Sequence, residues 1–366
     1  MMRKVGIITF HRAVNYGAML QAVALQRAIS NLGYDAEILD YVDSLYDHYK
    51  ISYKSSNFIK STIKFLLSNG ARKRNYRFEK FLIENAKISE TQYNRNSINQ
   101  IDENQYIAFV TGSDQTFNPV IVDYDTNYTL GFVHNKSKCN SYAASIGLST
   151  LNDKQKAWIK ENVNGFHKVL VREKTGLDLL ASIGVVNTTL VCDPTFLLPS
   201  EEWKSMAHKV KTPKHYILYY GFKKNHAMEK MVQSLSTETE YPIYTISDSI
   251  KFDKRGYKKF SGIGPGEWLY LIANADYIVT NSFHGMIFSF IFNKQVWIAD
   301  SNDGTFSRME DFLTKINCCN RILNDECEFT NCLTEKINYD NINNLMREYV
   351  DKSKQTLENL LVDYKK

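Results

Sequence analysis

A short apolar run, a polar exit and a helical pattern follow one another repeatedly along this chain, and that alternation restricts the fold more than any other feature. Residues 5–10 read as a strand, 18–32 as a helix stopped by Gly33, and 36–41 as a second strand. Ala18, Leu20, Gln21, Ala24, Leu25, Ala28 and Ile29 recur at helical spacing, which predicts a β-α-β unit with parallel strands and a right-handed crossover. Further strands are expected at residues 107–111, 140–144, 168–171 and 189–192. The stretch from Asp193 to Pro199 then interrupts the alternation, and its prolines mark it as an interdomain connector. Strands at 216–220, 243–246, 276–280 and 296–299 and helices near 227–235 and 265–273 form a second such layer, and residues 342–364 read as one long final helix. The expected organisation is an N-terminal Rossmann-like domain over residues 1–199, a C-terminal one over 200–340, and a closing helix over 341–366.

The polar exits of the strands are where such sheets place binding groups. Residues 276–280 run into Asn281 and Ser282, two N-cap candidates, then past His284 into a helix expected over residues 285–292. A helix start presents unpaired N–H groups and partial positive charge to an anion. Comparable exits follow three other strands: Asn15-Tyr16-Gly17, Ser113-Asp114-Gln115, and Arg172-Glu173.

Composition excludes several classes. A length of 366 residues with 43% hydrophobic content supports two cores. The net charge of +5 is too small for a nucleic-acid footprint unless it is clustered. Most of it is indeed clustered: no acidic residue lies between Asp47 and Glu79, where Lys50, Lys54, Lys60, Lys64, Arg72, Lys73, Arg74 and Arg77 alternate with apolar residues. That pattern suits a basic amphipathic helix, and hence either a packed structural element or a peripheral contact with an anionic membrane. The opening residues lack a signal-peptide pattern and no stretch is long and apolar enough to span a bilayer, so a cytoplasmic location is expected. The six cysteines then read as reduced thiols, and Cys318, Cys319, Cys327 and Cys332 lack the spacing of a zinc knuckle. Neither a G-x-G-x-x-G fingerprint nor a phosphate-binding P-loop is present, which disfavours a dinucleotide oxidoreductase.

Taken in order, the motifs NYGA, LQAVAL, GSDQTFNP, VRE, DPTFLL and NSFHG resemble the polysaccharide pyruvyl transferase family from Val5 to about Phe312. The resemblance, together with the alternation, implies a GT-B-like fold, in which two Rossmann-like domains face each other across a cleft and the C-terminal helix returns to the first. It also implies transfer of the pyruvyl group of phosphoenolpyruvate onto two hydroxyls of a sugar in a polysaccharide or lipid-linked repeat unit. A ketal forms and phosphate leaves, with no metal or other cofactor and no nucleic acid involved.

On that resemblance His284 and Arg172 hold the catalytic positions, since an imidazole can move a proton near neutrality and a guanidinium matches a carboxylate or phosphate. Asn281, Ser282, Gly285 and Arg308 are expected on the donor side. Asn15, Tyr16, Gly17, Ser113, Asp114 and Gln115 are expected on the acceptor side. Some family members carry arginine where this chain has Ser282, so Arg308 is the expected substitute, although it can equally pair with Asp311 on a helix surface. The competing functions are a nucleotide-sugar glycosyltransferase of the same fold and a non-catalytic sugar-binding protein.

Overall fold

The computed structural model describes residues 4–42, 68–221, 225–249, 253, 255–301, 304, 306–323 and 336–364. Two parallel sheets organise them. The first comprises β1 (Lys4–Ile8), β2 (Asp35–Tyr41), β3 (Ile88–Tyr93), β4 (Tyr106–Thr111), β5 (Cys139–Ala144), β6 (Lys168–Val171) and β7 (Thr188–Leu190), in the order β3-β2-β1-β4-β5-β6-β7. The second comprises β8 (Ile217–Tyr220), β9 (Ile243–Ile246), β10 (Lys258–Phe260), β11 (Tyr277–Thr280), β12 (Gln295–Ala299) and β13 (Ile322–Leu323), in the order β10-β9-β8-β11-β12-β13. In each sheet the order reverses beside the first strand, between β1 and β4 and between β8 and β11. Those switch points leave crevices at the carboxyl ends of the strands.

Sequence periodicity located the central strands, whose apolar runs are buried on both faces. It did not locate β3, β10 or β13, three of the four edge strands, where Ser-Glu-Thr-Gln and Lys-Lys carry no such signal and Ile322–Leu323 is only two residues long. Tyr16–Asn31 forms the first helix, and every residue from Tyr16 through Gln26 is buried. The expected single apolar face is thus replaced by burial all round. The helix lies between its own sheet and the second domain, touching helices Pro265–Asn274 and Phe283–Ile291.

Two further elements join the halves. Helix Asn69–Asn85 buries Phe78, Phe81 and Leu82 and turns Arg74 and Arg77 toward the second domain. Arg74 pairs with Asp248 at 2.8 Å, and Arg77 pairs with Glu267 at 3.0 Å while donating to the Gly262 carbonyl at 2.7 Å. Those arginines are therefore engaged in an interdomain contact; the rest of the basic stretch before residue 68, including Lys60 and Lys64, lies outside the described residues. The final helix Tyr339–Val362 anchors to the second domain where Ile337 N–H donates to Gln295 (2.8 Å), and to the first where Ser353 Oγ accepts from Cys192 N–H (2.9 Å) and Tyr364 donates to the Ser137 carbonyl (2.6 Å).

The segment expected as a connector runs between the last strand of the first sheet and the first strand of the second, and it is buried. Pro194–Leu197 forms a 3-10 turn whose four residues are buried against the first helix. Cys139, Cys192 and Cys318 are buried free thiols and Cys319 is exposed; Cys327 and Cys332 lie outside the described residues. No described helix is long and apolar enough to cross a membrane.

Candidate active site

Five strand exits converge on the cleft. β1 leads to Asn15-Tyr16-Gly17, β4 to Ser113, β6 to Arg172, β7 to Asp193, and β11 to Asn281-Ser282-Phe283-His284. The second-domain helix starts at Phe283, two residues earlier than sequence periodicity places it. Ser282 is its cap, accepting from Gly285 N–H at 3.2 Å. Gly285 lets this helix approach its strand, since a Cβ there would stand 2.6 Å from Thr280 Oγ1. Asn281 is buried beside Gly221, where a Cβ would meet Asn281 Oδ1 at 2.7 Å.

Asp193 is the hub, and sequence reasoning assigned it no role. Its Oδ2 lies 2.9 Å from Arg172 Nη1, 3.4 Å from Ser113 Oγ and 3.5 Å from His284 Nε2, while Oδ1 accepts from the Thr195 N–H (3.0 Å) and hydroxyl (2.7 Å). Burial alone would raise its pKa. The His284 contact, the Arg172 charge and the Thr195 hydroxyl outweigh burial and hold the carboxyl well below the usual carboxylate range. The DPTFLL motif was the available signal, but nothing in it says that this aspartate faces a histidine from the other domain.

Arg172 is buried, not on the surface. Besides Asp193 it has Glu173 Oε2 at 3.6 Å and Asp114 Oδ1 at 3.9 Å. Burial favours loss of its proton, yet these carboxylates raise its pKa, so it stays a cation. Its guanidinium also packs over the Phe283 ring, 4.5 Å from the centroid. Arg172 therefore carries a charge already matched by its own neighbours.

The loops assigned to the acceptor have structural tasks as well. Asn15 is exposed and caps the first helix through Ala18 N–H at 3.2 Å. Tyr16 is buried, stacks on Trp268 at 5.4 Å and donates to the Ile263 carbonyl at 2.9 Å, so its hydroxyl joins the domains instead of facing a sugar. Gly17 makes room for His284: a Cβ on it would lie 1.9 Å from Nδ1. Gln115 accepts from Asn118 at 2.9 Å and occupies the space a side chain at Gly147 would take. Asp114, at φ 67°, caps Gln115 N–H at 2.9 Å and is only partly buried. Of this set, Ser113 and Asp114 stand with Arg172 and Asp193.

Adjoining the cluster is a cavity of about 220 Å³ whose lining includes Arg172, Asp193, Phe283 and Arg308. Arg308 packs over Phe283 at 5.2 Å and so lies at the cleft.

A family model for polysaccharide pyruvyl transferase matches residues 15–303, which takes in every strand exit described above. The chain belongs to that family. No curated protein sequence matches this pyruvyl transferase family member. Among solved structures it is similar to the UDP-GlcNAc 2-epimerase from Neisseria meningitidis, with TM-score 0.56 and 10% identity over 99% of this chain and 100% of that one. It is also similar to a putative UDP-N-acetylglucosamine 2-epimerase from Listeria monocytogenes, with TM-score 0.51 and 10% identity over 97% of this chain and 91% of that one. The epimerase from Methanocaldococcus jannaschii gives TM-score 0.50 and 13% identity, covering 97% and 94%. At such identities the likeness is one of fold, and it makes this pyruvyl transferase family enzyme a GT-B protein.

Proposed function

We propose that this enzyme transfers the pyruvyl group of phosphoenolpyruvate to two hydroxyls of a sugar in a polysaccharide or lipid-linked repeat unit. One observation carries the reading beyond the family: His284 from the second domain meets the carboxylate of Asp193 from the first at 3.5 Å, with the side chain of His284 11% exposed at the cleft. A carboxylate facing Nε2 orients the ring at the cleft, as an acid–base histidine requires.

The reaction needs such a group. One sugar hydroxyl adds across the double bond of phosphoenolpyruvate: its oxygen bonds the central carbon and a proton is delivered to the methylene, which becomes methyl. A second hydroxyl then displaces phosphate from that carbon, and its proton leaves with the phosphate. His284 moves the proton, and Asp193 and Gly17 hold its ring.

Product mass tests the assignment. Incubation with phosphoenolpyruvate and an oligosaccharide acceptor should give a product bearing a new carboxylate, with one phosphate released per ketal. Transfer of a sugar from a nucleotide sugar, or acceptor binding with no phosphate released, would overturn it.

A further inference from the structure

A proton delivered to the methylene carbon accounts for only half of the first step. The hydroxyl that bonds the central carbon must lose its own proton, and a histidine giving one proton cannot take another at the same moment. Three carboxylates surround the Arg172 guanidinium beside the histidine: Asp193, Glu173 and Asp114.

Two of them are fully occupied. The Asp193 side chain is 1% exposed; its Oδ2 faces Arg172, Ser113 and His284, and its Oδ1 accepts twice from Thr195. Glu173 Oε1 accepts from the Ser145 hydroxyl at 2.6 Å, Ile146 N–H at 3.1 Å and Gly147 N–H at 3.4 Å, while Oε2 is buried 3.6 Å from Arg172 Nε. Asp114 differs. Its side chain keeps 18% exposure, Oδ1 accepts from Gln115 N–H at 2.9 Å, and Oδ2 makes no hydrogen bond among the described residues. Arg172 Nη2 lies 3.9 Å from Oδ1, beyond hydrogen-bond reach. Asp114 is thus the carboxylate of the three that solvent reaches and that has an oxygen to spare.

The backbone fixes its position. Asp114 stands at φ 67°, its carbonyl accepts from Thr116 N–H (2.9 Å) and Ser145 N–H (2.8 Å), and its own N–H donates to Ser113 Oγ (2.6 Å). Ser113 Oγ in turn lies 3.4 Å from Asp193 Oδ2, the oxygen that faces His284. A left-handed residue held by this many contacts is pre-set, as is common where a side chain must meet a substrate.

We propose that Asp114 is the second proton carrier of the reaction and the base for the first acceptor hydroxyl. The assignment rests on the reading of pyruvyl transfer given above. As the hydroxyl oxygen bonds the central carbon, its proton passes to the Asp114 carboxylate, and protonated His284 gives its proton to the methylene. In the second step the now neutral His284 takes the proton of the second hydroxyl, and the Asp114 carboxylic acid gives its own to the departing phosphate. Both side chains return to their starting states.

Asp114→Asn and Asp114→Gly test it. Asparagine keeps an oxygen for the Gln115 N–H, and both residues tolerate the left-handed backbone, so circular dichroism melts should show folded proteins. With phosphoenolpyruvate and an oligosaccharide acceptor, Asp114→Asn should lose roughly a hundredfold or more in kcat, with KM for phosphoenolpyruvate kept. Added formate should raise the turnover of Asp114→Gly with concentration and leave the unaltered enzyme unchanged, since a small carboxylate fits where the side chain stood. Near-normal kcat in folded Asp114→Asn overturns the assignment. So does a loss confined to KM for phosphoenolpyruvate, which would make Asp114 only a counter-charge to Arg172. Ketal formed at full rate by Asp114→Asn removes the base and leaves pyruvyl transfer standing, whereas no ketal from the unaltered protein removes pyruvyl transfer and the base with it.

Discussion

The imidazole of His284 occupies the space that a side chain at residue 17 would fill: a Cβ on Gly17 would come within 1.9 Å of His284 Nδ1 and 2.4 Å of Cγ. The two residues belong to different domains, so the first turn of one helix is shaped to the histidine carried by another.

Gly17→Ala follows directly. Helix propensity favours alanine by about 1 kcal/mol, and Gly17 has no left-handed φ that would penalise it. The fold should therefore survive while the ring is displaced from Asp193. Turnover should fall by roughly a hundredfold or more, the range of a lost acid–base group, with the far-UV spectrum and a cooperative melt retained. Wild-type turnover in Gly17→Ala would show that the observed ring position is not the working one.

Asp193→Asn tests the hub through stability. The folded-state pKa of Asp193 is depressed by its contacts with His284, Arg172 and Thr195, so its contribution is fully present above the unfolded carboxyl value of about 3.9 and is lost as pH falls through the depressed folded value. The substitution leaves Arg172 less compensated in a buried site and should cost about 3–5 kcal/mol near neutrality. Denaturant unfolding of both proteins from pH 7 downward should show the gap narrowing only below about pH 4. A gap that is constant across that range would mean the carboxylate charge is not what stabilises the site.

Arg77 and Glu267 join the domains at 3.0 Å, with side chains 27% and 8% exposed. Solvent screens part of this pair, so a double-mutant cycle with Arg77→Ala and Glu267→Ala should give a coupling of about 1 kcal/mol. Additive losses would remove the pair from the account of how the halves are held.

How much of this was legible in the sequence depends on how local each signal is. The β-α-β unit and the Ser282 cap are set by residues within a turn or two of one another, and the pattern located them. Strands β3 and β10 were missed because they are polar and lack the apolar run that marks buried ones, and β13 because it is only two residues long. Tyr16 and Gly17 were assigned to a sugar, yet their surroundings come from Trp268, Ile263 and His284 in the other domain, and no local pattern encodes that. Asp193 illustrates the same limit. Flanking prolines marked it as part of a connector, and its contact with His284 comes from the other domain, which no local pattern encodes.

The most direct test of the central claim, that His284 moves the proton in pyruvyl transfer, is the reaction of phosphoenolpyruvate with a saccharide acceptor run in heavy water, for the unaltered enzyme and for His284→Ala. The unaltered enzyme should release phosphate and give a ketal whose methyl group carries one deuterium. Folded His284→Ala should lose roughly a hundredfold to ten-thousandfold in rate. Near-normal turnover by His284→Ala, or a ketal methyl group without deuterium, would contradict the account.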